Sequence, residues 1–232
     1  KVFQLDGKDY EMRDCLFPTI DPENPYQLTE EEEEIVQKLH KSFTGSEKLR
    51  KHMKCIFRYG CMYNVCNSNL LFHASMPMNA DGTLKEVDIL GKKYKGEALL
   101  KRVGQLIRTA YFAEEDDPEK AFARDFIWYL WCGKNSPAFD KSKMATFERY
   151  FLTDKETHKE VKGYYYTLRD REDICDMILD EFGVEGEHRH IINGHVPVKA
   201  VKGEKPIKAN GKLMVIDGGF SKAYQPETGI AG

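Results

Sequence analysis

The chain has no apolar run long enough to cross a bilayer as a helix, no Cys-x-x-Cys pair, no internal repeat and no low-complexity tract. The first absence excludes a helical membrane span. The second leaves Cys15, Cys55, Cys61, Cys66, Cys132 and Cys175 scattered, as expected of reduced thiols in a cytosolic protein. Cys61 and Cys66 are spaced poorly for zinc. Positive charge is not in excess either: 35 Lys and Arg stand against 38 Asp and Glu, a net charge of -3. That excludes a general nucleic-acid binder, while clustered basic residues can still hold phosphate locally. The opening Lys1-Val2-Phe3 carries neither a Met nor a signal-peptide pattern. The expectation is a chain cut, processed or numbered from inside a longer one.

What is present is globular. The 232 residues are 41% hydrophobic and 31% charged, enough apolar material for one large domain or two small ones. Residues 1–28, with Gly7, Pro18, Pro22 and Pro25, read as a strand fragment or extended arm. From 29 to 95 the pattern gives two helices and a strand. Thr29 and Glu32 have capping-box spacing ahead of Ile35, Val36, Leu39 and Phe43, and Ser46 caps the second helix. Residues 96–183 are mainly helical, with an aromatic cluster (Phe126, Trp128, Tyr129, Trp131) that reads as core. Within them, 132–169 is an irregular basic-aromatic stretch, and Asp170 reads as the cap of the helix that Gly183 stops. Residues 184–232 give two further strands, Lys212–Asp217 being the second, with the entry to another from Thr228 onward.

Two runs share one grammar. Asn69-Leu70-Leu71-Phe72-His73 and His190-Ile191-Ile192-Asn193-Gly194-His195 each place a histidine just past a short apolar strand, and a proline follows in each case. Imidazole ligates Mn, Fe and Zn, and strand ends are where α/β sites are built. This points to a metal-dependent hydrolase. His188, His190, His40, His52 and His158 receive no role. Asp217, at the end of its strand, can orient a ligand histidine or cap a turn.

The run from His190 to Lys199, the run from Lys208 to Gln225, Thr228-Gly229-Ile230-Ala231-Gly232, Trp128 to Trp131, and Met144 to Phe151 resemble the C-terminal part of class III (Firmicutes-type) fructose-1,6-bisphosphatase, within the calcineurin-like metallophosphoesterases. The resemblance runs from about Pro18 to the end. It implies an α/β (α+β) fold, part of a β-sandwich flanked by helices with a largely helical insert. It implies that His73 and His195 bind the second of two divalent metals, Mn²⁺ being expected, while motifs outside this chain supply the other ligands. The chain departs from the family pattern at Ala74-Ser75, where Gly usually follows the histidine, and at Val196, where Thr does. The implied substrate is fructose 1,6-bisphosphate, in gluconeogenesis, with no nucleic acid or membrane partner. The phosphate that is not cleaved needs its own cationic clamp, which orients the reacting one. The candidates are Arg149, Lys134, Lys141, Lys208, Lys212 and Lys222, with Ser136 and Tyr224 as hydrogen-bonding partners; Arg149 leads because its planar fork suits phosphate. No bridging carboxylate is recognisable, so the chain by itself is expected to be inactive and, with exposed apolar edges, to form a homo-oligomer. Two other readings stay open: a phosphatase of the protein-phosphatase type, and a non-catalytic module that binds sugar phosphates or a partner chain.

Overall fold

A computed structural model of the chain describes residues 1–13, 15–217, 221–223 and 225–228. In chain order the elements are β1 (Val2–Leu5), β2 (Lys8–Glu11), α1 (Glu30–Thr44), α2 (Glu47–Tyr59), β3 (Tyr63–Cys66), β4 (Asn69–Phe72), β5 (Val87–Ile89), β6 (Lys92–Tyr94), α3 (Gly96–Phe112), α4 (Lys120–Cys132), α5 (Thr146–Phe151), α6 (Tyr165–Leu168), α7 (Glu172–Glu181), β7 (His190–Asn193), β8 (Ile207–Lys208), β9 (Leu213–Val215) and α8 (Gln225–Thr228). They fall into two units: Lys1–Gly60 with Ala145–Lys159, and Cys61–Met144 with Glu160–Gly232. Residues 145–159, inside the stretch expected to be one helical insert, thus group with the N-terminal segment.

In the first unit, β1 and β2 make a hairpin in the front part of the expected arm. Its turn places Asp6 at φ 50 and Gly7 at φ 76, the left-handed pair that a two-residue hairpin loop requires. The capping box at α1 forms: Thr29 Oγ1 accepts from the Glu32 amide at 3.2 Å, and Glu32 Oε2 accepts from the Thr29 amide at 2.9 Å. Ser46 caps α2 in the same way. Neither helix buries a residue, so Leu39 and Phe43 stay exposed. The short helix α5 joins this unit through a bridge between Met12 and Leu152 and through Phe147, whose ring centroid lies 4.8 Å from that of Phe3.

The second unit holds a five-stranded mixed sheet in the order β3-β4-β7-β9-β8. Strands β4, β7 and β9 are parallel, and the edge strands are antiparallel. The register sets Leu70 beside Ile191 and Leu213, and Phe72 beside Asn193 and Val215. This face is buried and packs with Ile174, Cys175, Ile178 and Leu179 of α7. Side chains alternate across a strand, so Leu71, Ile192 and Met214 lie on the opposite face, where Met214 is 43% exposed. Ile192 is only half-buried for this reason, whereas its neighbour Ile191 is fully buried. A second core lies between α3 and α4, around Leu99, Val103, Leu106, Ala123, Phe126 and Leu130.

Two expectations need correction. The aromatic cluster of α4 is not all core: Phe126 and Leu130, four apart, take the inner face, which turns Trp128 (66% exposed) and Trp131 (56% exposed) outward. Asp170 does not cap α7, whose N-cap is Arg171 with no side-chain capping bond; Asp170 pairs with Lys208 at 3.4 Å instead. Among the described residues no helix is long and apolar enough to cross a membrane. The strand entry expected after Thr228 lies outside the described residues.

Candidate functional site

Because β4 and β7 run parallel with Phe72 opposite Asn193, the residues that follow each leave the sheet at the same end. The Gly194 amide donates to the His73 carbonyl at 2.9 Å, which locks the two exits together. The imidazoles of His73 and His195 therefore meet: their centroids are 5.0 Å apart and their planes cross at 68°.

His195 is held against its local preferences. Its φ of 67 lies in the left-handed region, inside a tight turn in which the Val196 amide donates to the Gly194 carbonyl at 2.9 Å. A non-glycine residue there carries strain of roughly 1–3 kcal/mol. Its Nε2 is buried without a hydrogen-bond partner among the described residues. Burial, then the nearby His73, Lys141 and Lys162, push its pKa down to about 4, so the ring is neutral and its lone pair is free at neutral pH. Two imidazoles at this separation, one with an orphaned buried nitrogen, suit a shared divalent cation. Among the described residues no three His, Cys, Asp or Glu side chains gather as a metal site. All six cysteines are free, with Cys61 and Cys66 exposed.

The loop after His73 is pinned by buried polar groups. Asn193 Nδ2 donates to the Ala74 carbonyl at 3.0 Å and to the Tyr165 hydroxyl at 2.8 Å. The Ser75 hydroxyl donates to Asp140 Oδ2 at 2.6 Å, and both residues are buried. So the Ala74-Ser75 departure supplies anchors of its own, while Val196 packs against the core. Asp217 lies beside Gly194: a Cβ added there would sit 4.0 Å from Asp217 Oδ2. Its carboxylate makes no hydrogen bond to either imidazole among the described residues. His73, Gly194 and Asn193 also line an open, mostly apolar groove of about 330 Å³ with Leu71, Ile192 and Ile216.

Burial raises the Asp140 pKa, against the lowering effects of Ser75, the Asn135 amide and Lys85. The folded state therefore binds this proton more tightly than the unfolded chain does. Asp140 contributes its stability at pH values below the unfolded carboxyl range, and that contribution is lost as pH rises through the raised folded value. The stability of the wild type minus that of Asp140→Asn is expected to fall as pH rises from about 4 toward neutrality. Urea unfolding at several pH values measures it, and a pH-independent difference would contradict it.

The expected phosphate ligands are scattered. Lys141 approaches the histidines: its Nζ lies 5.2 Å from the centroid of Phe139, and that ring is 6.2 Å from the His195 ring. It also pairs with Glu160 at 3.0 Å. Arg149 is in the other unit, exposed, with Nη2 donating to the His158 carbonyl at 3.2 Å. Ser136 is fully buried and gives its only hydroxyl proton to the Leu130 carbonyl at 2.5 Å. Lys134 is exposed. Lys208 is held between Asp170 and Glu204, and Lys212 pairs with Asp176 at 3.0 Å. Lys222 is exposed, and Tyr224 lies outside the described residues.

Sequence reasoning missed Asn193, Lys162, Tyr165, Tyr166 and Arg169. Lys162 stands opposite Lys141 in an isolated antiparallel bridge. Tyr166 lies beneath two cations, 5.7 Å from Lys162 Nζ and 5.5 Å from Arg169 Cζ. The only signal for Lys162, Tyr165, Tyr166 and Arg169 was the basic-aromatic composition of residues 132–169, while Asn193 lay inside the strand run that carries His195.

Comparison with known proteins gives one family. The model described as Firmicute fructose-1,6-bisphosphatase matches residues 1–232. Curated proteins named fructose-1,6-bisphosphatase class 3 are similar: 72% identical over 226 residues in Phocaeicola vulgatus, covering 97% of this chain and 34% of the relative. The Bacteroides fragilis and Clostridium acetobutylicum proteins are 67% and 57% identical over 231 residues, covering 100% of this chain and 35% of each relative. The chain thus spans about a third of the length of the curated relatives it matches. No solved structure matches it.

Proposed function

Because the chain belongs to the Firmicute fructose-1,6-bisphosphatase family, we propose that it is the C-terminal part of a cytoplasmic two-metal phosphoesterase that removes the 1-phosphate of fructose 1,6-bisphosphate in gluconeogenesis. The observation that carries this reading is the meeting of His73 and His195, 5.0 Å apart at the ends of adjacent parallel strands, with His195 Nε2 buried and, among the described residues, unpartnered.

In this reading both imidazoles hold one divalent cation, taken as Mn²⁺, and ligands elsewhere in a longer polypeptide hold its companion. The bound metals supply Lewis acidity to phosphate-ester hydrolysis. The chain's own residues do the rest. The strained turn fixes the direction of the His195 ring, and the lowered pKa keeps that ring unprotonated at neutral pH. The Gly194-to-His73 hydrogen bond and the Asn193 amide hold the two ligand loops at a constant separation, so little reorganisation is needed when charge develops. Lys141, paired with Glu160, and Lys162 place positive charge near His195, which favours approach of a phosphate dianion.

Two preparations test the proposal. The full-length protein with added Mn²⁺ is expected to release phosphate steadily from fructose 1,6-bisphosphate and to stop on chelation. The 232-residue chain alone is expected to release none. We also expect it to self-associate through the Leu71–Ile192–Met214 face, giving a light-scattering mass above 26.8 kDa. Steady turnover by the isolated chain would show that no outside ligand is required. A metal-loaded full-length protein inert toward the sugar ester would favour the binding module, and one active only on phosphopeptides the protein-phosphatase reading.

A further inference from the structure

Arg169 is only 4% exposed, yet its Nε and Nη1 have no hydrogen-bond partner among the described residues. A buried guanidinium with idle donors is costly, because each N–H has given up water for nothing. The neighbourhood raises the cost. Lys162 shares the Tyr166 ring with Arg169, and Lys162 and Lys141 are directly opposed across an antiparallel bridge, which sends both side chains to the same side. The Tyr166 hydroxyl donates to the Phe139 carbonyl at 3.2 Å, and the Phe139 ring is near both Lys141 Nζ, at 5.2 Å, and the His195 ring, at 6.2 Å. Three cations thus gather over two linked aromatic rings that lead to the histidine pair.

The local carboxylates answer only part of this charge. Glu160 pairs with Lys141 at 3.0 Å, which leaves Arg169 and Lys162 as the groups with least countercharge. Glu204 is near enough to feel Arg169, but one oxygen accepts the Lys199 amide at 3.0 Å and the other faces Lys208 at 3.3 Å. Lys162 reaches solvent, yet its charged form is disfavoured first by partial desolvation and then by the positive charges of Arg169 and Lys141, with Glu204 acting in the opposite direction. A tetrahedral dianion would relieve these costs together. It offers acceptors to the guanidinium fork and countercharge to both ammonium groups.

We propose that Arg169, Lys162 and Lys141 form a phosphate cradle next to His195 that holds the ester phosphate the reaction leaves in place. The choice of that phosphate rests on the bisphosphatase reading; the anion site itself rests on the orphaned guanidinium and the opposed lysines.

Fructose 6-phosphate, which keeps only that phosphate, is the probe, titrated calorimetrically into the metal-loaded full-length protein. Arg169→Gln and Lys162→Met are each expected to weaken its binding roughly tenfold or more, the loss associated with a charge-assisted hydrogen bond. KM for the bisphosphate should rise by a similar factor, more than kcat falls, with metal content unchanged. Arg169→Lys should recover only part of the loss, since an ammonium lacks the fork. Lys162 is exposed, so its variant decides the matter if Arg169→Gln fails to fold. Unaltered fructose 6-phosphate affinity in a folded Lys162→Met protein would overturn the proposal, as would a carboxylate elsewhere in the polypeptide found paired with Arg169. Weakened binding of inorganic phosphate alone would reassign the cradle to the reacting phosphate and overturn the assignment made here. If both variants lose fructose 6-phosphate while the wild type hydrolyses no bisphosphate, the cradle stands and the bisphosphatase reading falls.

Discussion

Replacing His195 with glycine in the full-length protein should abolish metal-dependent turnover and, at the same time, make the metal-free protein harder to unfold. The two effects share one cause. His195 sits at φ 67 with a buried, unpartnered Nε2. Glycine removes the left-handed strain and the orphaned nitrogen together, and it adds some entropy to the unfolded chain. The net gain is roughly 1 kcal/mol in the metal-free state. Loss of a proposed ligand acts in the opposite direction on function. Outer partners of metal ligands already cost about 10–100-fold in affinity or activity, so a ligand itself should cost more than about 100-fold. His73→Ala should show the same loss of metal without the gain in stability, because its ring is exposed. His188→Ala, at an exposed position before β7, should change neither. Elemental analysis of the purified variants and chemical denaturation in chelator read the two effects separately. Full metal content in both His73→Ala and His195→Gly would remove the metal reading altogether.

The strands that carry these histidines were legible because their signals are local. Four-residue apolar runs ending in His-x-x-x-Pro or Gly-His-x-Pro need no long-range information, and β4 and β7 form where the pattern placed them. Which face of each strand is buried was less legible. Ile191 and Ile192 look alike in sequence, and only the position of α7 decides that Ile191 goes inside. The helical aromatics failed for the same reason: spacing put Trp128 and Trp131 on one side of α4, but nothing local said that α3 packs on the other. Ser136 and Lys208 looked like phosphate ligands by residue type, and their hydrogen-bond and ion-pair partners, Leu130, Asp170 and Glu204, are a property of the folded loops. The Lys141–Lys162 pairing joins residues 21 apart through an isolated bridge, with no periodicity to announce it. Convergence of His73 with His195 was inferred from family resemblance; the physical basis is the parallel register of β4 and β7, which no spacing rule supplies.

Asn193→Ala is expected to damage both the fold and the proposed metal centre without touching either histidine. Asn193 is 1% exposed, and its amide bonds the Ala74 carbonyl and the Tyr165 hydroxyl, so it ties the residue after His73 to the strand that presents His195. Truncation strands two buried acceptors, at a cost of about 2–4 kcal/mol. It also frees the His73 loop, so metal affinity should fall by about 10–100-fold. Tyr165→Phe separates the two consequences. It removes the hydroxyl but keeps the bond to Ala74, so it should cost about 1 kcal/mol and leave metal affinity near that of the wild type. Asn193→Asp is the harsher test. The carboxylate is nearly isosteric, but when ionised it has no proton to offer the Ala74 carbonyl and brings an unpaired charge into the core, so it should be less stable than Asn193→Ala at neutral pH. Thermal melts and metal titrations of the three variants discriminate these effects. Equal metal affinity in the wild type and Asn193→Ala would mean that the sheet alone positions His73, and that the buried amide serves packing rather than the site.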